Sequence, residues 1–280
     1  MTQENEIGYC LDIVRKDDRE RYECSLFAPR HLQPTLWTLY AFNQEIAKTR
    51  ESVSEAMLGE IRLQWWRDVV EELKAGEVRE HPVVKAMASV LNVADVHEQL
   101  SKLIDAREQD LFDEGPADMA ALIAYSEGVG GLLSETALIF SLPDALDDDL
   151  RRRARATGSL WAMLGLVRAI PFHWASNRNY VPGDKGRASL ATTDAEKMFE
   201  LAGPSIVEMI DFCKAKVEEL KTSKSRVPSR CRHVFLPAAP ASLYLQALEK
   251  VENNPFKMQE PTAFARLKRL WRASLFREFG

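Results

Sequence analysis

Two long, nearly uncharged stretches set the terms for any fold of this chain: TGSLWAMLGLVRAIPFHWASN from Thr157 to Asn177, and AALIAYSEGVGGLLSETALIFSL from Ala120 to Leu142. Each approaches the length that crosses a bilayer. The first, however, carries Arg168 at its centre with Pro171 close behind, and the second is broken by Glu127 and Glu135. Segments this apolar and this interrupted belong inside a protein as buried helices, and two such helices at the middle of a bundle need amphipathic ones to wrap them.

The rest of the chain supplies those helices. The helical period dominates and no run shows sustained strand alternation. Ser52 and Glu55 predict a capping box ahead of EAMLGEIRLQWWRDVVEELKAG, in which Ile61, Trp65, Trp66, Val69, Val70 and Leu73 form a broad apolar face. Pro34, Pro82, Pro116, Pro143, Pro204 and Pro261 fall near expected helix starts. Further helices are expected at residues 82–91, 96–112, 146–169, 205–221, 240–251 and 262–276. With 280 residues, 46% of them hydrophobic, the chain is long and apolar enough for one large all-α helical bundle spanning 1–280, without repeats or an obvious linker.

Composition removes several functions. A formal net charge of −5 argues against nucleic-acid binding, which concentrates Lys and Arg against phosphates. Cys10, Cys24, Cys213 and Cys231 have no paired spacing, so four buried or semi-buried thiols in a reducing compartment are expected rather than a disulfide or zinc framework. The opening segment lacks the apolar core of a signal peptide and the acid-poor character of a transit peptide, which favours the cytoplasm. No HExxH, GxSxG, P-loop or GxGxxG pattern occurs. Cys231 and His233 are close, but two ligands do not make a metal site, and a surface or loop role is expected for them. The Gly128 to Gly131 cluster reads as close helix packing, and the acidic run Asp147 to Asp149 as a helix start.

The informative segment is YAFNQEIAKTRE, Tyr40 to Glu51. An inward stripe through Leu36, Leu39 and Tyr40 continues at spacings of three and four into Asn43, Ala47 and Arg50 or Glu51, so a buried face turns polar at its end. Such a face points at something polar. Asn43, Arg50 and Glu51 are therefore read as cavity-facing, a hydrogen-bonded polar plug, whereas Glu45 with Lys48 is read as a solvated i, i+3 pair. The segment SNRNYVPGDKGRASLATTD, Ser176 to Asp194, is rich in turn formers; Arg178 and Arg187 make it a candidate functional loop, although composition favours a solvated connection.

In order along the chain, YAFNQEIAKTRE, AYSEGVGG, LVRAIPFHWASNRNYVP and LPAAPASLYLQAL resemble the segments of the squalene and phytoene synthase family. The resemblance covers almost the whole chain and implies the all-α isoprenoid synthase fold. In that family two helices carry paired aspartates that hold magnesium against prenyl diphosphates. Laid on this sequence, the first motif puts Ala47 and Lys48 at the paired acids and Glu51 at the last one. The second retains Arg168, but Ala169 and His173 occupy the aspartate positions and Gly165 stands for an asparagine. Ionising a diphosphate needs concentrated positive charge on the leaving group, and one acid cannot hold the metal cluster that supplies it. Lys48 opposes a divalent ion as well, since like charges about 4 Å apart repel by about 4 kcal/mol at an effective dielectric near 20.

Lys48, Arg168 and Arg178 remain able to attract an anionic head group. The resemblance is nearer to a non-catalytic branch of the family, carried by FNQEIAKTRESVSEAMLGEIRLQWWRDVVE and VRAIPFHWASNRNYVP, whose members include an assembly factor for respiratory complex I. It implies a catalytically degenerate protein that acts by binding a complex I subunit or assembly intermediate, or an isoprenoid or lipid, with no catalytic residue, no metal and no cofactor. Asn43, Lys48, Glu51, Arg168, His173, Arg178 and Tyr180 are the candidate binding residues. The competing reading is an active prenyltransferase using magnesium and a rearranged site.

TAFARLKRLWRASLFREFG places Phe264, Leu267, Leu270, Trp271 and Leu275 on one side and Arg266, Lys268, Arg269 and Arg272 largely elsewhere. That pattern suits a helix lying on an anionic bilayer, peripheral to the inner membrane, although docking on its own bundle is the favoured reading. The basic stretch from Lys221 to His233 either joins such a surface or forms a solvated loop.

Overall fold

The computed structural model describes residues 3–53, 55–143, 147–223, 226–276 and 278. Among them the chain is helical and contains no strand, as expected. The order is α1 (Gln3–Asp17), α2 (Arg19–Ser25), α3 (Gln33–Ala47), α4 (Thr49–Ser52), α5 (Ala56–Ala75), α6 (Pro82–Val90) and α7 (Val93–Ala106). There follow α8 (Met119–Ser126), α9 (Leu132–Ser141), α10 (Asp148–Ala175), α11 (Gly183–Ser189), α12 (Ala195–Thr222), α13 (Ala238–Glu249) and α14 (Ala263–Phe276). The expected start at Leu146, and Lys224 and Ser225 of the basic stretch, lie outside the described residues.

The helices group into two compact units. Met1–Phe112, Leu132–Arg151 and Val227–Val234 form the first; Asp113–Gly131, Arg152–Arg226 and Phe235–Gly280 form the second. Because the stretches interleave, no composition shift marks a boundary along the sequence.

In the first unit α1 packs on α3 and α6, α5 on α7, and α7 on α9. Pro34 occupies the first turn of α3, where a missing N–H leaves nothing unsatisfied. Leu36, Leu39, Phe42 and Ile46 then bury completely at helical spacing, and Phe42 meets Trp66 edge-on at 5.4 Å. The α5 stripe is rotated from the expected one. Leu63, Trp66, Val69 and Val70 are buried, Trp65 and Leu73 half-buried, and Ile61 is 60% exposed. The capping box does not form: Ser52 Oγ donates to the Thr49 carbonyl at 2.8 Å, and Glu55, without a side-chain bond, precedes α5. Gly76 ends α5 at φ +88°, its N–H reaching the Glu72 and Leu73 carbonyls. The acidic run does start a helix, Asp147 Oδ1 accepting from the Leu150 N–H at 2.7 Å.

All four cysteines are buried. Burial pushes the Cys10 thiol up to about 12 and raises those of Cys24 and Cys213 well above the ordinary thiol value, so the three stay protonated. Cys231 and His233 correct the surface reading. They sit in a 3-10 turn, Ser229–Val234, at 0% and 2% exposure, because Val227 and Val234 bury on either side of them.

In the second unit α11 packs on α12, α12 on α13 and α13 on α14. Two prolines misled the sequence reading of helix ends. α10 absorbs Pro171 and continues to Ala175, and Pro204 lies inside α12, whose start is fixed upstream by Asp194 accepting from the Glu196 and Lys197 N–H groups. The 176–194 segment is no solvated connection. It contains α11, and the buried Asn179 bonds Val181 twice, Nδ2 to the carbonyl at 2.9 Å and Oδ1 from the N–H at 2.8 Å.

The glycine cluster forms a π-helical turn, Glu127–Gly131, between α8 and α9. A Cβ on Gly130 would stand 2.2 Å from the Gly158 carbonyl oxygen and 2.6 Å from Ala162 Cβ, so the close helix packing expected there is what the structure uses. Gly130→Ala should therefore lower the unfolding free energy by about 2 kcal/mol in urea titrations, since α10 backbone must move. An unchanged midpoint would mean the contact is not tight.

Candidate functional site

In the first unit, α3 ends at Ala47. Lys48 adopts φ −81°, ψ 3°, and α4 starts afresh at Thr49, so the stripe expected to run on through Glu51 is cut. Asn43 is 3% exposed, and its Oδ1 accepts from Arg107 Nη2 at 3.4 Å. Arg107 Nη1 lies 3.3 Å from Asp110 Oδ2, both side chains nearly buried. Thr49, at 1% exposure, closes the same end of α3. Lys48 Nζ is 2.6 Å from Asp17 Oδ2 on α1, and Glu45 Oε2 is 2.8 Å from Arg62 Nη2 on α5. The i, i+3 pair between Glu45 and Lys48 gives way to these inter-helix pairs. Glu51 is exposed.

In the second unit, Arg168 lies on α10 with its guanidinium carbon 3.8 Å from the centre of the buried Tyr244 ring and 5.8 Å from that of Trp161. Its Nη2 is 2.8 Å from Glu260 Oε1. Stacking on an aromatic face and pairing with a carboxylate together hold the cation in place. A Cβ at Gly165 would meet nothing within 4 Å, so packing does not demand glycine there. The His173 ring lies 4.7 Å from the Tyr180 ring, and the His173 carbonyl accepts from the Arg178 N–H at 2.8 Å. His173, Trp174, Arg178, Asn179 and Tyr180 line one pocket with about 10 Å³ of free interior, room for about one water.

The structure thus brings His173, Arg178 and Tyr180 together and holds Arg168 against Tyr244 and Glu260, while Asn43 and Lys48 each find a partner inside the first unit. Magnesium requires hard oxygen ligands in near-octahedral array. Ala47 and Ala169 offer no donor, Lys48 and His173 no carboxylate, and among the described residues no group of three or more His, Cys, Asp or Glu side chains is placed to hold an ion. These residues do not fit that metal. Arg107, Asp110, Tyr244 and Glu260 were missed from sequence. Arg107 and Asp110 stand at i, i+3 beside a helix end, a spacing that could have flagged them; Glu260, on a connection, carries no local signal.

The helices and their order define an isoprenoid synthase fold. A dehydrosqualene synthase superposes with a TM-score of 0.75 at 15% identity, covering 98% of this chain and 97% of the other. The squalene synthase HpnC of Alicyclobacillus acidocaldarius gives 0.73 at 22% identity, over 91% of this chain and 97% of its own. The squalene/phytoene synthase family model matches residues 14–275, and the chain belongs to that family. Curated relatives include NADH dehydrogenase (ubiquinone) complex I, assembly factor 6, of Bos taurus, 31% identical over 89% of this chain and 75% of that protein. The Rattus norvegicus protein of the same name is 26% identical over the same shares. No helix among the described residues is long and apolar enough to cross a membrane.

Proposed function

We propose that this chain acts by binding, as an assembly factor of the respiratory complex I type, and not by coupling prenyl diphosphates. The observation that carries this reading is the state of α3's inner end. Lys48, at a position where the family's enzymes place a metal-binding acid, is tied to Asp17, and Asn43 one turn earlier is tied to Arg107. Side chains of the protein itself occupy the polar groups there, and the relatives named for complex I assembly support the partner class. Within the second unit, His173, Arg178 and Tyr180, which line one small pocket, are the residues we assign to meet a polar group of a bound isoprenoid or lipid.

The test is affinity capture of the full chain, after crosslinking, from solubilised respiratory membranes. Complex I subunits or assembly intermediates are the expected catch, and their absence from every crosslinked sample overturns the reading. The competing reading, an active prenyltransferase, is favoured by the retained Arg168. It predicts pyrophosphate release from farnesyl or geranylgeranyl diphosphate with magnesium or manganese. The expected result is no release above the protein-free control.

A further inference from the structure

We infer that α14 is an interfacial helix that lays the protein on an anionic lipid surface. Phe264, Leu267, Trp271 and Leu275 are 77%, 37%, 59% and 68% exposed. Their spacing of three, four and four places them along a single ridge, an arc of about 80° at 100° per residue. Scattered exposed leucines are ordinary on any protein; an aligned ridge of two aromatic and two aliphatic side chains is not. The helix is held to the second unit by its other side, where Leu270 and Ala273 are 1% and 3% exposed. Arg266 Nη1 donates to the Pro261 carbonyl at 3.0 Å, and Arg269 pairs with Glu278 and donates from Nε to Ser242 Oγ at 3.2 Å. Docking and outward display therefore coexist in one helix, where the sequence offered them as alternatives.

Charge selects the occupant. Lys268 and Arg272 are exposed and follow one flank of the ridge, and α14 has no acidic residue, although the chain as a whole carries −5. Apolar side chains entering the acyl boundary beside two cations at phosphate level is the arrangement of a helix lying in a bilayer surface. Trp271 suits that depth because its ring is apolar and its N–H polar. A second copy of the chain fits worse, since it would present the same two cations and no acid of α14 to answer them. The inference stands apart from the assembly reading, because binding to protein-free vesicles involves no partner protein.

Flotation of the full chain with vesicles tests it. The protein should rise with phosphatidylcholine mixed with phosphatidylglycerol, stay behind with phosphatidylcholine alone, and release as salt increases. Trp271→Ser with Leu275→Ser should weaken vesicle binding about tenfold or more, at unchanged helical circular dichroism, because both side chains are solvent-facing. Lys268→Glu with Arg272→Glu should remove the preference for the anionic mixture. Failure to float on either composition, flotation of both variants like the parent, or a dimer in gel filtration that the Trp271→Ser, Leu275→Ser variant splits would each overturn the inference, the last assigning the ridge to a second copy.

Discussion

Replacing Arg107 by methionine is expected to lower the unfolding free energy by about 3 kcal/mol, the cost of taking a charged partner away from a buried acid. The Asp110 side chain is 8% exposed and Arg107 12%, at 3.3 Å between nitrogen and oxygen, so solvent cannot take over the cation's place. The change also strips Asn43 of the donor to its Oδ1. Asn43→Ala, which removes the amide but keeps the ion pair, should cost only about 1 kcal/mol. Arg107→Lys should fall between them, since an ammonium keeps the charge but cannot serve an amide and a carboxylate from one planar fork. Urea unfolding followed by circular dichroism measures all three. A loss below about 1 kcal/mol for Arg107→Met would mean that Asp110 is compensated elsewhere, and the polar closure at the end of α3 would then no longer support a binding role over a catalytic one.

That cluster also shows where sequence reasoning reached its limit. The burial of Asn43 was legible, because Leu36, Leu39 and Tyr40 fix which side of α3 faces inward and 3.6-residue spacing carries the line to Asn43. Its partner was not legible, because Arg107 is 64 positions away in sequence and helix pairing is set by packing rather than local pattern. The break at Lys48 was missed for a related reason: nothing in AKTRE is a helix breaker, and the interruption accompanies an ion pair to Asp17 on another helix. Pro171 and Pro204 failed in the opposite direction, as strong local signals that long, well-packed helices overrode. Where local chemistry and packing agree, as at Pro34 and Gly130, the reading and the structure coincide.

Acidification should weaken the protein through His233. Burial lowers its pKa from an ordinary value of 6.5 to about 4. The hydrogen bonds explain why the ring stays neutral. Ser141 Oγ donates its only proton to the Ala137 carbonyl at 2.7 Å, so toward His233 Nε2, 3.2 Å away, it can only accept. That leaves Nδ1 deprotonated, and among the described residues no hydrogen-bond partner lies within reach of it. A proton arriving there would place a charge in apolar surroundings beside no acceptor. The unfolded chain takes up that proton below about pH 6.5 and the folded chain only below about pH 4, so stability is full at neutral pH and declines through that window as pH falls. The whole effect is about 3 kcal/mol, of which about 2 kcal/mol disappears between pH 7 and pH 5. Burial also lowers the pKa of His81, which titrates in the same direction, so the measurement is the difference between the parent and His233→Gln, whose amide can still donate to Ser141 without gaining a charge. Chemical denaturation at several pH values should show the variant losing less stability than the parent by about 2 kcal/mol over that range. Parallel curves would place the His233 ring in contact with water and end the argument for a sealed polar site there.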